Sequence, residues 1–221
     1  MRTVVFDLDG TLMDTSADLI GAANATFAAI GASVRLDPVA DATTAFQGGR
    51  AMLRLGFERL GGAARPEEID RYYTDLLRFY ADEIDTHTTL YPGAMTAVAD
   101  LRSAGYRVAV CTNKPEALAR RLMQRLGVLD AFGALIGADT LPVRKPDPEP
   151  LRECVRRAGG DPARCLLVGD TQTDRDTARA AAVPSVLVSF GPTGAGVADM
   201  APEGMIGHYD ELPGVVRELI G

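Results

Sequence analysis

The sequence has few of the residues that usually form metal clusters or disulfides. Its two histidines, His87 and His208, are far apart and have no partner at metal-ligand spacing. Its three cysteines, Cys111, Cys154 and Cys165, also lack the spacing of a zinc site. An odd number of cysteines, two of them in apolar strand-like runs, favours buried thiols in a reducing compartment. We therefore expect a cytoplasmic protein without structural zinc or disulfides.

Positive charge and long apolar runs are also scarce. The net charge is −7, which argues against general nucleic-acid binding because such proteins usually carry a basic surface. No apolar run is long enough to span a bilayer, and the first residues lead into a strand without a signal-peptide layout. An anionic small substrate remains compatible, because a local field can oppose the global charge. We expect no nucleic-acid or membrane partner, and a monomer or homodimer.

The overall composition is that of a globular protein. The chain has 221 residues, of which 47% are hydrophobic and 24% are charged. This length supports a full core and allows either one large domain or two small ones.

One apolar stretch near the start leads directly into two aspartates. The run from Thr3 to Phe6 is apolar and β-branched, and it predicts a strand that is buried on both faces. Such strands end at the carboxyl edge of a parallel sheet, where α/β folds bind their ligands. Alternation along the strand points Asp7 and Asp9 to the same side.

Two carboxylates this close repel each other unless a cation or a shared proton lies between them. Their oxygens suit Mg²⁺, which keeps room for water and phosphate. A simpler interpretation is also available, because Asp9-Gly10 is a turn signal and aspartate commonly caps a helix. On this stretch alone both interpretations are open.

Residues 15–86 carry helical signals and no strand signal. The predicted helices cover 16–30, a short segment that begins at Asp37-Pro38, 51–60 and 66–83. The segment Phe46-Gln47-Gly48-Gly49-Arg50 interrupts the helical pattern. We interpret 15–86 as an all-helical insert in an α/β core that is formed by residues 1–14 and 87–221.

Helix and strand signals alternate after this insert, which is typical of a parallel sheet with right-handed crossovers. The predicted helices are 94–104, 115–126, 148–158, 174–182 and 210–219. The predicted strands are 106–111, 134–136, 165–168 and 185–188, with a candidate edge strand at 205–206. The fold class is therefore α/β.

Polar residues follow four of the predicted strands, where an open parallel sheet places its functional groups. They are Asp7 and Asp9, Thr112-Asn113-Lys114, Arg144-Lys145, and Gly169-Asp170-Thr171 with Asp174. Each group has a simpler interpretation as a helix start, a turn or a solvated lysine. Their coincidence at four consecutive strand ends favours a site suited to phosphoryl transfer on a metal.

These motifs resemble those of haloacid dehalogenase superfamily phosphatases with a helical C1-type cap, and within them the phosphoglycolate phosphatase group. The resemblance rests on Asp7-Leu8-Asp9-Gly10-Thr11-Leu12, Tyr91-Pro92-Gly93, Cys111-Thr112-Asn113-Lys114-Pro115, Lys145-Pro146-Asp147-Pro148, Gly169-Asp170-Thr171-Gln172-Thr173-Asp174 and Ser189-Phe190-Gly191. It extends over residues 3–191 and implies a Rossmann-like, doubly wound parallel sheet. Two departures, Arg175 at a usually aliphatic position and Ala182 at a common glycine position, concern local packing.

The resemblance implies a role for each motif. Asp7 is expected to be the nucleophile that forms an aspartyl-phosphate, and Asp9 the general acid and base. Mg²⁺ is expected on the Asp7 carboxylate, the Asp9 carbonyl and Asp170, with Asp174 as outer support. The groups expected to hold phosphate oxygens or neutralise their charge are Gly10, Thr112, the Asn113 backbone and Lys145.

The insert is then expected to act as a lid over a small phosphorylated substrate. Arg50, after two glycines, is the candidate for pairing a substrate carboxylate. A plain helix–helix turn that carries a solvated arginine is the alternative interpretation of this segment.

The leading hypothesis is hydrolysis of a small phosphomonoester, with phosphoglycolate as the first candidate. A phosphosugar mutase is an alternative that depends on residues of the insert. Metal-free dehalogenase chemistry is disfavoured, because that reaction does not need the acid Asp9. A non-catalytic binding module is disfavoured because every motif position is filled.

Overall fold

The structure is a computed structural model that describes residues 1–62 and 65–221. The chain forms two compact units, Met1–Met13 with Leu90–Gly221, and Asp14–Thr89. The strands are β1 (Thr3–Phe6), β2 (Met13–Asp14), β3 (Thr89–Leu90), β4 (Arg107–Cys111), β5 (Leu135–Ile136), β6 (Cys165–Gly169), β7 (Ser185–Val188) and β8 (Gly204–Ile206). The helices are α1 (Ser16–Ala29), α2 (Ala42–Phe46), α3 (Gly49–Arg59), α4 (Pro66–Asp82), α5 (Ala94–Ser103), α6 (Glu116–Arg125), α7 (Glu149–Arg157), α8 (Gln172–Ala181) and α9 (Leu212–Ile220).

The first unit is built on a six-stranded parallel sheet in the order β5-β4-β1-β6-β7-β8. The strand β1 lies in the middle, with Phe6 in register with Val110 of β4 and Val168 of β6. Every residue of β1 is buried, as its continuous apolar pattern predicts. The α/β class with a parallel sheet is therefore confirmed.

Helices cover the sheet. On one face, Val5, Ala109 and Leu167 pack in one cluster with Leu151 of α7 and Ala178 of α8. The alternate residues of the same strands are also buried, and the helices α5 and α9 contact the sheet and each other. The three cysteines are buried free thiols, as expected, and burial raises the pKa of Cys111 and Cys165 to about 12.

Arg175 in α8 and Ala182 directly after it, the two departures noted in the sequence, are each accommodated by local structure. Arg175 is buried, and its Nη2 lies 2.8 Å from Oε1 of Glu203. The other carboxylate oxygen of Glu203 accepts the backbone N–H of Ser185 at 2.8 Å, so the pair connects α8 to β7. Ala182 ends the helix in the left-handed conformation, with φ of 59°.

The second unit contains the helices α1 to α4. Among the residues of this unit that the structure describes, no strand lies wholly inside it. Its apolar core includes Ile20 and Phe27 of α1, Met52 of α3, and Leu76 of α4. The predicted insert, 15–86, lies inside this unit, and its action as a lid stays a prediction. The chain passes between the units at β2 and β3, which pair as a separate two-stranded sheet. Neither strand was predicted, because two residues show no periodicity and, unlike β5, neither strand consists of apolar residues alone.

A glycine allows close packing inside the helical unit. A Cβ at Gly56 on α3 would collide with the ring of Phe27, so a larger residue would push α1 away. The same ring lies edge-on to Phe57, which in turn contacts Tyr72 of α4. The aromatic residues of the insert therefore contribute to its core.

The prediction that a helix begins at Asp37-Pro38 is wrong. Oδ1 of Asp37 accepts the N–H groups of Val39 and Ala40 at 2.9 and 2.8 Å, which closes a turn. The helix α2 begins only at Ala42. An aspartate side chain that binds nearby N–H groups stabilises a turn as readily as a helix start, so the local pattern was ambiguous.

None of the helices in residues 1–62 and 65–221 has both the length and the apolar character needed to cross a membrane.

Candidate active site

The carboxyl ends of three neighbouring strands bring the predicted site residues of the core together. Asp7 follows β1, Thr112 follows β4, and Asp170 follows β6. Because β4, β1 and β6 are adjacent and parallel, these three positions meet at one edge of the sheet. All three residues are buried.

Lys145 lies between two of the aspartates. Its Nζ is 2.6 Å from Oδ1 of Asp174 and 3.0 Å from Oδ1 of Asp7, the latter without hydrogen-bond geometry. The lysine side chain is only 2% exposed. Its pKa is raised, because the attraction of Asp174 and Asp7 outweighs the desolvation of the ammonium group. Lys145 is therefore a fixed positive charge beside Asp7.

Three carboxylates form a compact cluster around this lysine. Asp7, Asp170 and Asp174 each present an oxygen within 4.8 Å of the others. Burial raises the pKa of Asp7 to about 7; the nearby Lys145 opposes this shift, and the negative charges of Asp174 and Asp9 add to it. Burial and the charge of Asp174 also raise the pKa of Asp170 well above its ordinary value. One lysine does not balance three buried carboxylates.

Asp170 is held from several sides. Thr11 donates through Oγ1 to its Oδ1 at 2.7 Å, and Thr193 donates to its carbonyl oxygen at 3.0 Å. The hydroxyl of Tyr209 donates to the carbonyl oxygen of Thr11 at 2.7 Å. The remaining oxygen, Oδ2 of Asp170, is buried and has no hydrogen-bond partner among the residues that the structure describes.

This donor set fits a metal ion. A buried, unpartnered carboxylate oxygen next to two further carboxylates is a costly arrangement unless a cation compensates the charge. Oxygen ligands of this type favour hard divalent cations. Asp7, Asp170 and Asp174 could therefore hold one together.

Asp174 is oriented by the start of its own helix. Its Oδ2 accepts Oγ1 of Thr171 at 2.6 Å and the backbone N–H groups of Thr171 and Asp170 at 3.2 and 3.3 Å. This is a capping box, in which Thr171 is the N-cap and Asp174 the third helical residue. A Cβ at Gly169 would overlap the Asp174 side chain, so the glycine is required for this approach.

Asp9 has a partner, Lys114, that the sequence places at the strand ends but to which no role was assigned. The Nζ of Lys114 lies 2.6 Å from Oδ1 of Asp9, and the two side chains are 4% and 18% exposed. Lys114 directly follows Thr112-Asn113, and this position in the motif could have indicated that it contacts a site residue. Thr11, Thr193 and Tyr209 were likewise not assigned, and Thr193 and Tyr209 lie outside the predicted strand-end loops.

The predicted phosphate-binding residues lie at the same strand ends. Thr112 is buried, and its Oγ1 accepts the backbone N–H of Lys114 at 3.1 Å. Gly10 adopts φ of 77° and donates its N–H to the carbonyl oxygen of Met13 at 2.9 Å. Their binding of phosphate stays a prediction.

Arg50 lies in the helical unit, in the first turn of α3. Its Nε is 2.9 Å from Oδ1 of Asp70, and its guanidinium carbon lies 3.8 Å from the centre of the Tyr73 ring. The arginine is therefore anchored rather than fully solvated. Its contact with a substrate stays a prediction.

Comparison with known proteins identifies the family. Residues 1–182 match the model of the haloacid dehalogenase-like hydrolases. A phosphoglycolate phosphatase of Mesorhizobium japonicum is 42% identical over 95% of this chain and 92% of its own length. A phosphoglycolate phosphatase of Cereibacter sphaeroides is 37% identical over the full length of both chains.

The fold comparison agrees with the sequence comparison. The crystal structure of a predicted phosphoglycolate phosphatase from Haemophilus somnus superimposes with a TM-score of 0.85, at 22% identity, over 97% of each chain. This similarity supports the fold, and the sequence matches support the type of reaction. The chain is a phosphoric monoester hydrolase that belongs to the haloacid dehalogenase-like hydrolase family.

Proposed function

We propose that this protein hydrolyses a small phosphomonoester in a Mg²⁺-dependent reaction through a phosphorylated Asp7, with phosphoglycolate as the first candidate substrate. The observation that carries the proposal is the position of Asp7. It lies at the end of the central strand, 3.0 Å from Lys145 and inside a cluster of carboxylates. Relatives at 42% and 37% identity that are named phosphoglycolate phosphatase support the choice of substrate.

Asp7 would act as the nucleophile. An oxygen of its carboxylate forms a bond to phosphorus while the bond from phosphorus to the leaving oxygen breaks, which divides one difficult displacement into two steps. The ammonium group of Lys145 favours the ionised carboxylate of Asp7 and the negative charge of the phosphoryl oxygens. Its second contact, with Asp174, keeps this charge in place.

Asp9 would act as the general acid and then as the general base. It gives its proton to the leaving oxygen in the first step, and it takes a proton from the attacking water in the second. Thr112 and the Asn113 backbone would hold phosphoryl oxygens. Most of the rate enhancement then comes from orientation and fixed charges.

Mg²⁺ is the metal that fits this proposal best. Asp7, Asp170 and Asp174 supply only oxygen ligands, and Mg²⁺ typically uses few protein carboxylates together with water and phosphate. When bound, the ion would neutralise the carboxylate cluster and polarise the phosphoryl group.

The helical unit would serve as a lid, and Arg50 would pair with the carboxylate of phosphoglycolate. The Arg50 side chain is held by Asp70 and Tyr73, which reduces the entropy lost when it binds an anion. Arginine also matches a carboxylate through two parallel hydrogen bonds.

A direct experiment tests the function. Phosphate release from p-nitrophenyl phosphate is measured with Mg²⁺ and with EDTA, and a panel of phosphorylated metabolites is then ranked by kcat/KM. We expect Mg²⁺-dependent release and the highest kcat/KM for phosphoglycolate. Conversion of a sugar phosphate into its isomer without phosphate release would instead indicate a mutase, and no turnover of any phosphoester would contradict the proposal.

A second experiment tests the intermediate. Borohydride reduces an acyl phosphate to an alcohol, so quenching during turnover should convert Asp7 to homoserine, which peptide mass spectrometry detects. The Asp7→Asn variant is the control, because it cannot form the acyl phosphate. An unmodified Asp7 in wild-type enzyme that is turning over would exclude the intermediate.

A further inference from the structure

The distribution of lysine in this chain is unusual. Only two of the 23 basic residues are lysines, Lys114 and Lys145, and all others are arginines. Both lysines are buried in the candidate site, whereas most of the arginines are at least partly exposed. Lysine is thus used in this protein only where a buried ammonium group faces a carboxylate.

Each lysine pairs with a different aspartate of the first motif. Lys145 approaches Asp7, and the proposed function already uses it as a fixed charge. Lys114 approaches Asp9 at 2.6 Å, and no step of the proposed reaction uses it. A compact ammonium group can meet one carboxylate oxygen in a confined space where a planar guanidinium would need more room.

The backbone of Lys114 is fixed on both sides. Its N–H donates to Oγ1 of Thr112 at 3.1 Å, and its carbonyl oxygen accepts the N–H of Ala138 at 2.9 Å. The side chain then extends through a region that leaves it only 4% exposed. A buried charge that is anchored in this way has few alternative positions, so the contact with Asp9 is well defined.

We infer that Lys114 is a positioning residue that holds the carboxyl group of Asp9 towards the leaving oxygen of the substrate. This inference rests on the proposed function, in which Asp9 is the general acid and base. During the first step the bond between phosphorus and the leaving oxygen breaks, the bond to Asp7 forms, and the proton of Asp9 moves to the leaving oxygen. Lys114 exchanges no proton in this step; it fixes the geometry of the transfer.

This role predicts a dependence on the leaving group. A poor alkoxide leaving group, as in phosphoglycolate, needs the proton from Asp9, whereas p-nitrophenolate leaves readily without it. Loss of orientation should therefore slow the first step on phosphoglycolate far more than on p-nitrophenyl phosphate. A purely structural contact would slow both substrates by the same factor.

The first experiment compares single-turnover rates of Lys114→Met and wild type on these two substrates. We expect a loss of roughly 10–100-fold on phosphoglycolate, the scale of a misplaced general acid, and a much smaller loss on p-nitrophenyl phosphate. Asp9→Asn is the reference and should show the same selectivity. Arg175→Met removes another buried cation, one that pairs with Glu203, and should show no leaving-group selectivity.

The second experiment observes the lysines without using activity. Protein with ¹⁵N-labelled lysine has only two side-chain ammonium groups, and Lys114→Met identifies the signal of Lys114. We expect Asp9→Asn to shift the Lys114 signal and to accelerate exchange of its protons with water, with a smaller effect on Lys145. If Lys114→Met does not fold, Lys145→Met gives the assignment, and the comparison of wild type with Asp9→Asn still tests the contact.

The outcomes separate this inference from the proposed function. If wild-type protein releases phosphate and Lys114→Met loses the same factor on both substrates, the positioning role is wrong and the function stands. An unchanged Lys114 signal in Asp9→Asn would also overturn the role. If wild-type protein releases phosphate from no substrate, the proposed function fails, and this inference fails with it.

Discussion

Asn113 donates through Nδ2 to the backbone carbonyl oxygen of Lys145 at 2.9 Å. The bond joins the loop after β4 to the loop that carries the lysine of the site. The sequence predicts a role only for the backbone of Asn113, in phosphate binding, and the structure adds this contact through its side chain. Lys145 is thus held at its backbone by Asn113 and at its ammonium group by two aspartates.

We predict that Asn113→Ala lowers kcat and lowers the free energy of unfolding by about 1 kcal/mol, the usual contribution of one hydrogen bond. The reason is that the Lys145 loop loses one of its anchors. Asn24→Ala is the control, because Asn24 of the helical unit donates to the carbonyl oxygen of Leu36 at 2.9 Å and accepts its N–H at 2.7 Å. The control should lower stability at least as much, without the loss in kcat; equal kcat for both variants would contradict the prediction.

Asp7→Asn should abolish turnover while the protein stays folded. The amide has nearly the same shape as the carboxylate but is a poor nucleophile and a poor metal ligand. Phosphate release is measured under saturating substrate, and circular dichroism checks the fold. Appreciable turnover in a preparation free of wild-type enzyme would remove Asp7 from the role of nucleophile.

The carboxylate cluster makes the stability of the metal-free protein depend on pH. Folding raises the pKa of Asp7 from 3.8 to about 7. Between these values the folded state holds a proton that the unfolded state has lost, so the free energy of unfolding falls as the pH rises from about 4 to about 7. The loss for Asp7 alone is at most on the order of 4 kcal/mol, at about 1.4 kcal/mol per pKa unit.

Urea unfolding in EDTA between pH 4 and pH 8 measures this effect. Asp7→Asn should reduce the slope, and Mg²⁺ should restore more stability to the wild type at high pH than at low pH, since it binds the ionised carboxylates. A flat pH profile in EDTA, or equal stabilisation by Mg²⁺ at both ends of the range, would contradict the prediction. It would show that ionisation of the carboxylate cluster does not lower the free energy of unfolding.

Arg50→Ala should change selectivity more than chemistry. If Arg50 pairs with a substrate carboxylate, its loss should raise KM for phosphoglycolate roughly 10–100-fold, as expected for a charged hydrogen bond of about 1.5–3 kcal/mol. p-Nitrophenyl phosphate has no carboxylate, so its kcat/KM should change little. Arg54→Ala is the control, because Arg54 is an exposed arginine of the same helix.

The two substrates also separate the alternatives for Arg50. Equal losses on both would indicate that Arg50, through Asp70 and Tyr73, supports the helical unit instead. No loss on either would return Arg50 to a helix–helix turn without a role in recognition.

Ala182→Gly should stabilise the protein by about 0.5–1 kcal/mol. Ala182 ends α8 with φ of 59°, a conformation that glycine adopts without the steric penalty of a Cβ. Ala180→Gly is the matched control two residues earlier, at an exposed position within the helix, and should destabilise the protein by about 0.5–1 kcal/mol. Thermal and urea unfolding measure both; the same sign of change for the two variants would refute this account of Ala182.

The sequence by itself determined the α/β class, the parallel sheet, and the position of most helices and strands. The reason is that local periodicity and terminating residues report local structure, as in the buried run Thr3–Phe6. It also predicted that Asp7, Thr112 and Asp170 lie at one edge of the sheet, whereas the structure shows that their strands are neighbours. Where a local pattern fits two structures, as at Asp37, the prediction from sequence was wrong.

Only the tertiary structure decided which side chains pair with each other. Lys114 with Asp9, Lys145 with Asp174, Thr11 with Asp170 and Arg175 with Glu203 are joined across long separations in sequence. Such contacts depend on the packing of distant loops and leave no periodic trace in the chain. The fold therefore follows from local patterns, whereas the charge balance of the site follows from the way those patterns are brought together.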